Sequence, residues 1–403
     1  MSRDPSTASS IRKVGIVLDS FVDLAGARDF MVSFIDALDR AREGRDIVLL
    51  FRVPAPKTLL GRLRYYLGLA DLSLSGQERL APLLESGLSG FQIVYLPRGD
   101  KALQKAAERL EIDVVGPLTK PSGPALKTPW FAYLYDFQHK YLKALFSSEE
   151  CAARDQRFGE ILSAAPSVVV NAVEVKRDVE RFFPGMEHKV VPLSFSAAPK
   201  KEWFDTDILE AQTRYSTGSR YFLVSNQFWL HKNHETVIEA FAAFSAAHPD
   251  VSLVFTGDTF DTRSPTRLQD IEAFIAKLGI AEKVHILGLI PKIDQIALMR
   301  GCISVIQATS FEGGPGGGSV FDAIALDVRT IVSDIAINRE IEPMVSLYFA
   351  LNNVSELAAK MNDALNLPTP RADPSALVTA GFERRNSHGK DIWTAIEMAM
   401  RNT

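Results

Sequence analysis

Short apolar runs rich in β-branched residues alternate with amphipathic helical stretches, and the series runs through twice. The first pass opens with Val14–Asp19 (VGIVLD), followed by a helix from about Ala27 to Ala41. It continues with Asp46–Phe51, Phe91–Leu96, Trp130–Asp136 and Ser167–Asn171. Runs that are apolar on both faces and separated by helices imply a parallel sheet covered on both sides. Residues 192–217 hold prolines and charges without sustained periodicity and read as a linker. The series then restarts with Tyr221–Ser225, Val251–Gly257, Val284–Leu289, Ile303–Gln307 and Thr330–Asp334. The expected fold class is therefore α/β, with two Rossmann-like doubly wound domains facing a central cleft. The expected units are residues 1–195, residues 218–385, and a C-terminal piece, 386–403, whose helix near Lys390–Arg401 returns to the first domain. Functional loops of such sheets lie at the carboxyl ends of the strands.

A chain of 403 residues is long enough for two separate cores. With 46% hydrophobic and 23% charged residues, its composition is that of an ordinary globular protein. A formal net charge of −4 argues against nucleic acid as a partner. Cys151 and Cys302 stand far apart without metal-ligand spacing, which points to a reducing compartment. Residues 1–11 are polar and lack a signal-peptide core, and no apolar run reaches the ~20 residues that span a bilayer. A cytoplasmic location is the expectation.

Candidate chemistry concentrates at strand ends. Thr309–Asp322 (TSFEGGPGGGSVFD) lies between a strand and a helix and brackets its glycines with Glu312 and Asp322. Glycines let backbone approach a ligand, and amides at a helix start point at any anion placed there. Gly316, Gly317, Gly318 and Ser319 are the expected phosphate-facing positions, although a glycine-rich loop can also be a plain flexible connection. Ser225–His234 (SNQFWLHKNH) leaves one strand and enters a helix, placing Lys232 where its compact charge suits a phosphate. Tyr135–Lys140 (YDFQHK) gathers Asp136, Gln138, His139 and Lys140 at a strand end of the first domain. Gly26 sits between the first strand and first helix, but no G-x-G-x-x-G accompanies it, which disfavours a dehydrogenase.

Asp205 and Asp207 spell a D-x-D in the linker, where a helix start is the simpler reading than a metal site. Lys57–Leu69 (KTLLGRLRYYLGL) interleaves apolar and basic residues. Such a stretch either packs on its own domain or rests on an anionic membrane surface.

Together, YDFQHK, SNQFWLHKNH, the SFEGG-type loop and SDIAINRE resemble family 4 glycosyltransferases of the GT-B fold, from VGIVLDS to about residue 345. The family's E-x7-E carboxylates handle the donor, the first approaching the transferred sugar and the second binding the nucleotide ribose. The resemblance gives Glu312 the first role. It gives Asp322 the second, with Asp in place of Glu after a longer glycine loop. Lys232 matches the family's diphosphate lysine, while Asn226 or Gln227 stands where its arginine would be. His139 matches a histidine near donor sugar and acceptor, and Gly26 matches the turn that lets the first helix approach the diphosphate.

The resemblance implies retaining, metal-independent transfer from a nucleoside-diphosphate sugar to a glycan or lipid-linked acceptor, as in surface polysaccharide synthesis. The nucleotide sugar is a substrate, and no further cofactor is expected. A sugar-nucleotide epimerase of the same shape and a non-catalytic nucleotide-sugar-binding subunit are the alternatives.

Overall fold

The computed structural model describes residues 11–23, 25–66, 71–88, 90–341, 346–368 and 372–403. Most of the N-terminal stretch read above for export, and residues 67–69 of the basic-apolar stretch, lie outside them.

Two wholly parallel sheets form the molecule. The first contains β1 (Lys13–Val17), β2 (Asp46–Val53), β3 (Gln92–Pro97), β4 (Val114–Leu118), β5 (Trp130–Leu134), β6 (Ser167–Val170) and β7 (Val190–Pro192), in the order 3-2-1-4-5-6-7. The second contains β8 (Tyr221–Ser225), β9 (Ser252–Thr256), β10 (Val284–Ile286), β11 (Ser304–Gln307), β12 (Thr330–Ser333) and β13 (Ser346–Phe349), in the order 10-9-8-11-12-13. In each sheet the order reverses beside the first strand. That reversal opens the crevice at the carboxyl edge where ligands of doubly wound sheets bind.

Helices cover both faces. With the first sheet go α1 (Ala25–Arg40), α2 (Leu59–Tyr66), α3 (Leu72–Leu83), α4 (Asp100–Leu110), α5 (Gln138–Tyr141), α6 (Ser148–Ala164) and α7 (Val173–Phe182). With the second go α8 (Ile208–Tyr215), α9 (His234–Ser245), α10 (Arg267–Lys277), α11 (Lys292–Gly301), α12 (Gly317–Ala325) and α13 (Val354–Asn366). The chain ends in α14 (Pro374–Arg401). The two-residue period of a strand divides each core in two. Val14 and Ile16 of β1 join Leu49, Phe51 and Met31 on one face, while Val17 joins Leu50 and Val115 on the other.

Three strands and one helix go beyond the sequence reading. β4 is VVGPL, fully buried yet interrupted by Gly and Pro, and β7 is only VVP. β13 extends the second sheet past Thr330–Ser333. The stretch read as a linker contains α8, whose N-cap Asp207 accepts from the Glu210 amide at 2.9 Å. Of the D-x-D pair, both exposed, Asp207 is this helix cap.

α14 starts at Pro374, well before Lys390. Asp373 caps it, accepting from Ser375 N (3.0 Å) and Ala376 N (3.2 Å), and proline suits the first helical position. Gly389 meets α1 so closely that a Cβ would lie 2.0 Å from the Ala37 carbonyl oxygen. Trp393 Nε1 donates to Leu38 O at 3.2 Å.

Candidate functional site

The site is built where β8, β11 and the loop after β11 converge. β11 ends in Gln307, 1% exposed, and the chain turns through Thr309 to Glu312. β8 ends in Ser225, and the following loop carries Lys232 into the same place. Lys232 Nζ donates to Glu312 Oε1 at 2.5 Å, both side chains 9% exposed. Gln307 Nε2 donates to that same Oε1 at 2.7 Å and its Oε1 accepts from Asn226 Nδ2 at 2.6 Å. Asn226 Oδ1 is buried without a hydrogen-bond partner. A polar chain Asn226–Gln307–Glu312–Lys232 therefore runs along the carboxyl edge of the second sheet. Gln227 follows half-buried, its amide nitrogen 3.1 Å from where a Cβ on Gly257 would stand.

The glycine-rich loop wraps this cluster. Gly316 takes a left-handed conformation (φ 69°) at the N-cap of α12, where a Cβ would strike Val320 and Ile341. Gly317 also has φ 69°, and a Cβ there would lie 3.1 Å from Glu312 Oε2. The first turn of α12, Gly317–Gly318–Ser319, presents orphan amides beside the Lys232–Glu312 pair. Ser319 Oγ is buried with no partner there. Gly316 departs from the expected set, because its amide is already spent on Asn338 Oδ1 at 3.0 Å.

Asp322 lies on α12, past this turn, and pairs with Lys292 at the start of α11. Burial raises its carboxyl pKa, Lys292 pulls it down, and Asp29 on α1 raises it further. The second carboxylate is thus turned to Lys292, with Asp29 of α1 and Arg385 of α14 among the charges around it. Gly26 stands in the first turn of α1, exposed, with open space where a Cβ would be.

The first sheet meets the loop through β5 and β6. A Cβ on Gly313 would lie 3.1 Å from Asp136 Oδ2, and one on Gly314 would lie 3.6 Å from Asn171 Cβ. Asp136 accepts from Gln138 N at 2.9 Å. Burial holds its carboxyl above the ordinary range, and Glu312 adds to the rise.

His139 is not brought to this cluster. The single turn of α5 swings its ring among Phe137, Phe146 and Phe158, and Nε2 bonds Asp155 Oδ1 at 2.8 Å. Burial lowers its pKa. Within YDFQHK, Asp136 and the Tyr135 carbonyl oxygen are what reach Gly313 of the second domain. Gln307 and Asn338 carry no charge and gave no sequence signal, though SDIAINRE contains Asn338.

Elsewhere, α2 leaves Leu59, Leu60 and Leu63 exposed at 87, 68 and 57% beside exposed Lys57, Arg62 and Arg64. Among the described side chains of α2, only Tyr65 is buried, donating to Val53 O at 2.8 Å. Among the described residues, no helix is long and apolar enough to cross a membrane. Nor does any group of three or more His, Cys, Asp or Glu stand ready to hold a metal.

This pair of facing parallel sheets is the GT-B architecture of glycosyltransferases. A glycosyltransferase from Rickettsia africae ESF-5 has the same fold at 15% identity, with a TM-score of 0.58 over 97% of this chain and 96% of its own. Anabaena Alr3699/HepE, solved in complex with UDP and glucose, gives 14%, 0.58, and 97% of each chain. WaaG, a glycosyltransferase involved in lipopolysaccharide biosynthesis, gives 14%, 0.57, 95% of this chain and 98% of its own. Residues 205–378, which hold Lys232, Glu312 and the glycine-rich loop, match the family model of glycosyl transferases group 1. No curated protein matches the chain.

Proposed function

We propose that the protein is a retaining glycosyltransferase that moves a sugar from a nucleoside-diphosphate sugar to a hydroxyl of a glycan or lipid-linked acceptor in surface polysaccharide synthesis. The observation that carries this reading is the Lys232–Glu312 pair, buried against the first turn of α12 in the segment matching group 1 glycosyl transferases. As the bond to the leaving group breaks, negative charge builds on the diphosphate, and fixed positive potential lowers that barrier. Lys232, the amides of Gly317 and Gly318, and the Ser319 hydroxyl supply it without a metal. Donor binding frees Lys232 from Glu312, whose carboxylate then takes sugar hydroxyls. Gln307 holds Glu312 in place through this exchange. Asp322 and Gly26 flank the expected ribose and diphosphate positions.

That HepE was solved with UDP and with UDP-glucose supports a nucleotide-sugar donor. The second domain, residues 218–385, then holds the donor, while residues 1–195 with the C-terminal piece, 386–403, hold the acceptor. The exposed leucines and cations of α2 support peripheral contact with an anionic membrane, at the inner face of a cytoplasmic enzyme.

A thermal-shift panel of UDP, GDP, ADP and CMP with their sugar conjugates tests the donor. Binding to the native state raises its stability by about 2.7 kcal/mol at a hundredfold excess over Kd. A shift for one nucleoside diphosphate and its sugar, followed by acceptor-dependent release of that diphosphate, is the expected result. A shift without turnover would make the chain a non-catalytic binder. Donor isomerised in the absence of acceptor would make it an epimerase, and no shift at all would retire the phosphate site.

A further inference from the structure

The short turn Ala336–Glu340, which follows β12, sends three side chains in three directions. Ile337, 6% exposed, is buried in the first-domain core cluster that holds Phe137, Ala172, Val175 and Val179. Asn338, fully buried, accepts the Gly316 amide on Oδ1 at 3.0 Å and donates from Nδ2 to Ser333 O at 2.9 Å. Glu340 crosses to the first domain, where its carboxylate accepts from Val173 N (2.9 Å) and Glu174 N (2.7 Å).

The last contact is a helix cap supplied from the other domain. The residue at the N-cap of α7 is Ala172, which has no side-chain acceptor, so the first amides of the helix lack a local partner. A carboxylate there satisfies two donors and is favoured by the helix dipole. Ile337 adds apolar burial on the same first-domain surface. These two contacts exist only while the domains stand together. Asn338, between them, fixes the amide of the left-handed glycine from which the first turn of α12 springs.

We propose that the Ala336–Glu340 turn is a coupling strut, which docks on α7 when the cleft is closed and through Asn338 sets the glycine-rich loop in its ligand-binding shape. Glu340 and Asn338 are positioning residues. The consequence for sugar transfer rests on the donor role proposed for that loop, whereas the coupling itself does not.

Hydrogen exchange followed by mass spectrometry on the full chain, without ligand, tests it. Glu340→Ala should speed exchange about fivefold at residues 172–175, the worth of a lost cap, and also speed it at residues 313–318 in the other domain. Glu340→Gln keeps one acceptor oxygen and should restore much of the protection in both segments, while β8 and β9 exchange slowly in all three proteins. Faster exchange confined to 172–175, with 313–318 unmoved in both variants, would overturn the strut and leave Glu340 a local cap. Because no substrate is needed, the two readings fail separately. Coupled exchange in a wild-type chain that transfers no sugar would remove the glycosyltransferase reading alone, and uncoupled exchange in an active enzyme would remove the strut alone.

Discussion

Lys232 and Glu312 share so little solvent that each is the other's main counter-charge. Removing one member of a buried pair leaves an uncompensated charge and costs about 3–5 kcal/mol, whereas replacing both with apolar groups is often near neutral. Lys232→Met and Glu312→Leu should therefore each lower the urea midpoint, and the double variant should regain most of the loss. Activity should not follow: all three should lose turnover by two or more orders of magnitude, since one lost electrostatic donor costs about 3–4 kcal/mol in the transition state. A double variant that regained transfer along with stability would show the pair to be structural only. The buried histidines set a pH dependence. Burial lowers His231 and His234 to about 3 and His388 to about 4. Between roughly pH 6.5 and 4 the unfolded chain binds protons that the folded chain refuses, so their contribution is fully present above pH 6.5 and is lost on acidification. Asp178, pushed up to about 6 mainly by burial, acts with the opposite sign below pH 6. A difference measurement therefore isolates the histidine. Relative to wild type, His388→Gln should gain up to about 1.4 kcal/mol for each pH unit below 6.5. A stability gap independent of pH between 7 and 5 would contradict this. At this scale the charged members of the cluster were legible in sequence, because a lysine at a helix entrance and an acid before glycines are conspicuous. Gln307 and Asn338 were not, since a neutral amide at a strand end carries no pattern. His139 was misplaced because the direction of a one-turn helix depends on Phe137, Phe146 and Phe158, which close around the ring only in the fold.

Among the elements, the apolar strands β1, β2, β5, β6, β8, β9 and β11 were legible because burial on both faces leaves a continuous run. β4 was hidden by its own Gly-Pro, and β7 by having only three residues. α8 was hidden inside a segment whose prolines and charges read as irregular. Its burial comes from packing on α11 and the rest of that core, a tertiary effect that local propensity does not carry. The glycines show why composition alone misleads. Gly389 is packed against α1, whereas Gly26, at the start of α1, has open space where a side chain would go. Nothing among the described residues demands glycine at position 26, so the proposed site is what would require it there. Gly26→Ala should leave the melting temperature unchanged or slightly raised and weaken nucleotide-sugar affinity, measured by calorimetry with the donor that the thermal-shift panel identifies. Unchanged affinity would remove Gly26 from the site.

At the scale of the whole molecule, α14 makes the chain's end part of its beginning. Ile392, Trp393, Ala395, Ile396 and Ala399 lie in the same core cluster as β1 and α1, although the preceding half of the chain builds the other sheet. The first domain is thus unfinished until the last residues arrive, and its stability depends on contacts of very long sequence separation. Trp393 concentrates this dependence: 3% exposed, it donates to Leu38 O and carries the Arg45 guanidinium over its ring, 4.4 Å from the centroid. Truncating a buried tryptophan to alanine costs about 3–5 kcal/mol. Trp393→Ala should therefore destabilise the first domain by that order in urea denaturation. Apart from Gly26, at the opposite end of α1 from Leu38, the proposed donor site lies on the other sheet, so nucleoside-diphosphate affinity at low denaturant should stay within about twofold, as additivity holds for distant sites without shared partners. If affinity instead fell in step with stability, the helix would be shaping the donor site across the domain junction, and α14 would have to be counted among the elements that build it.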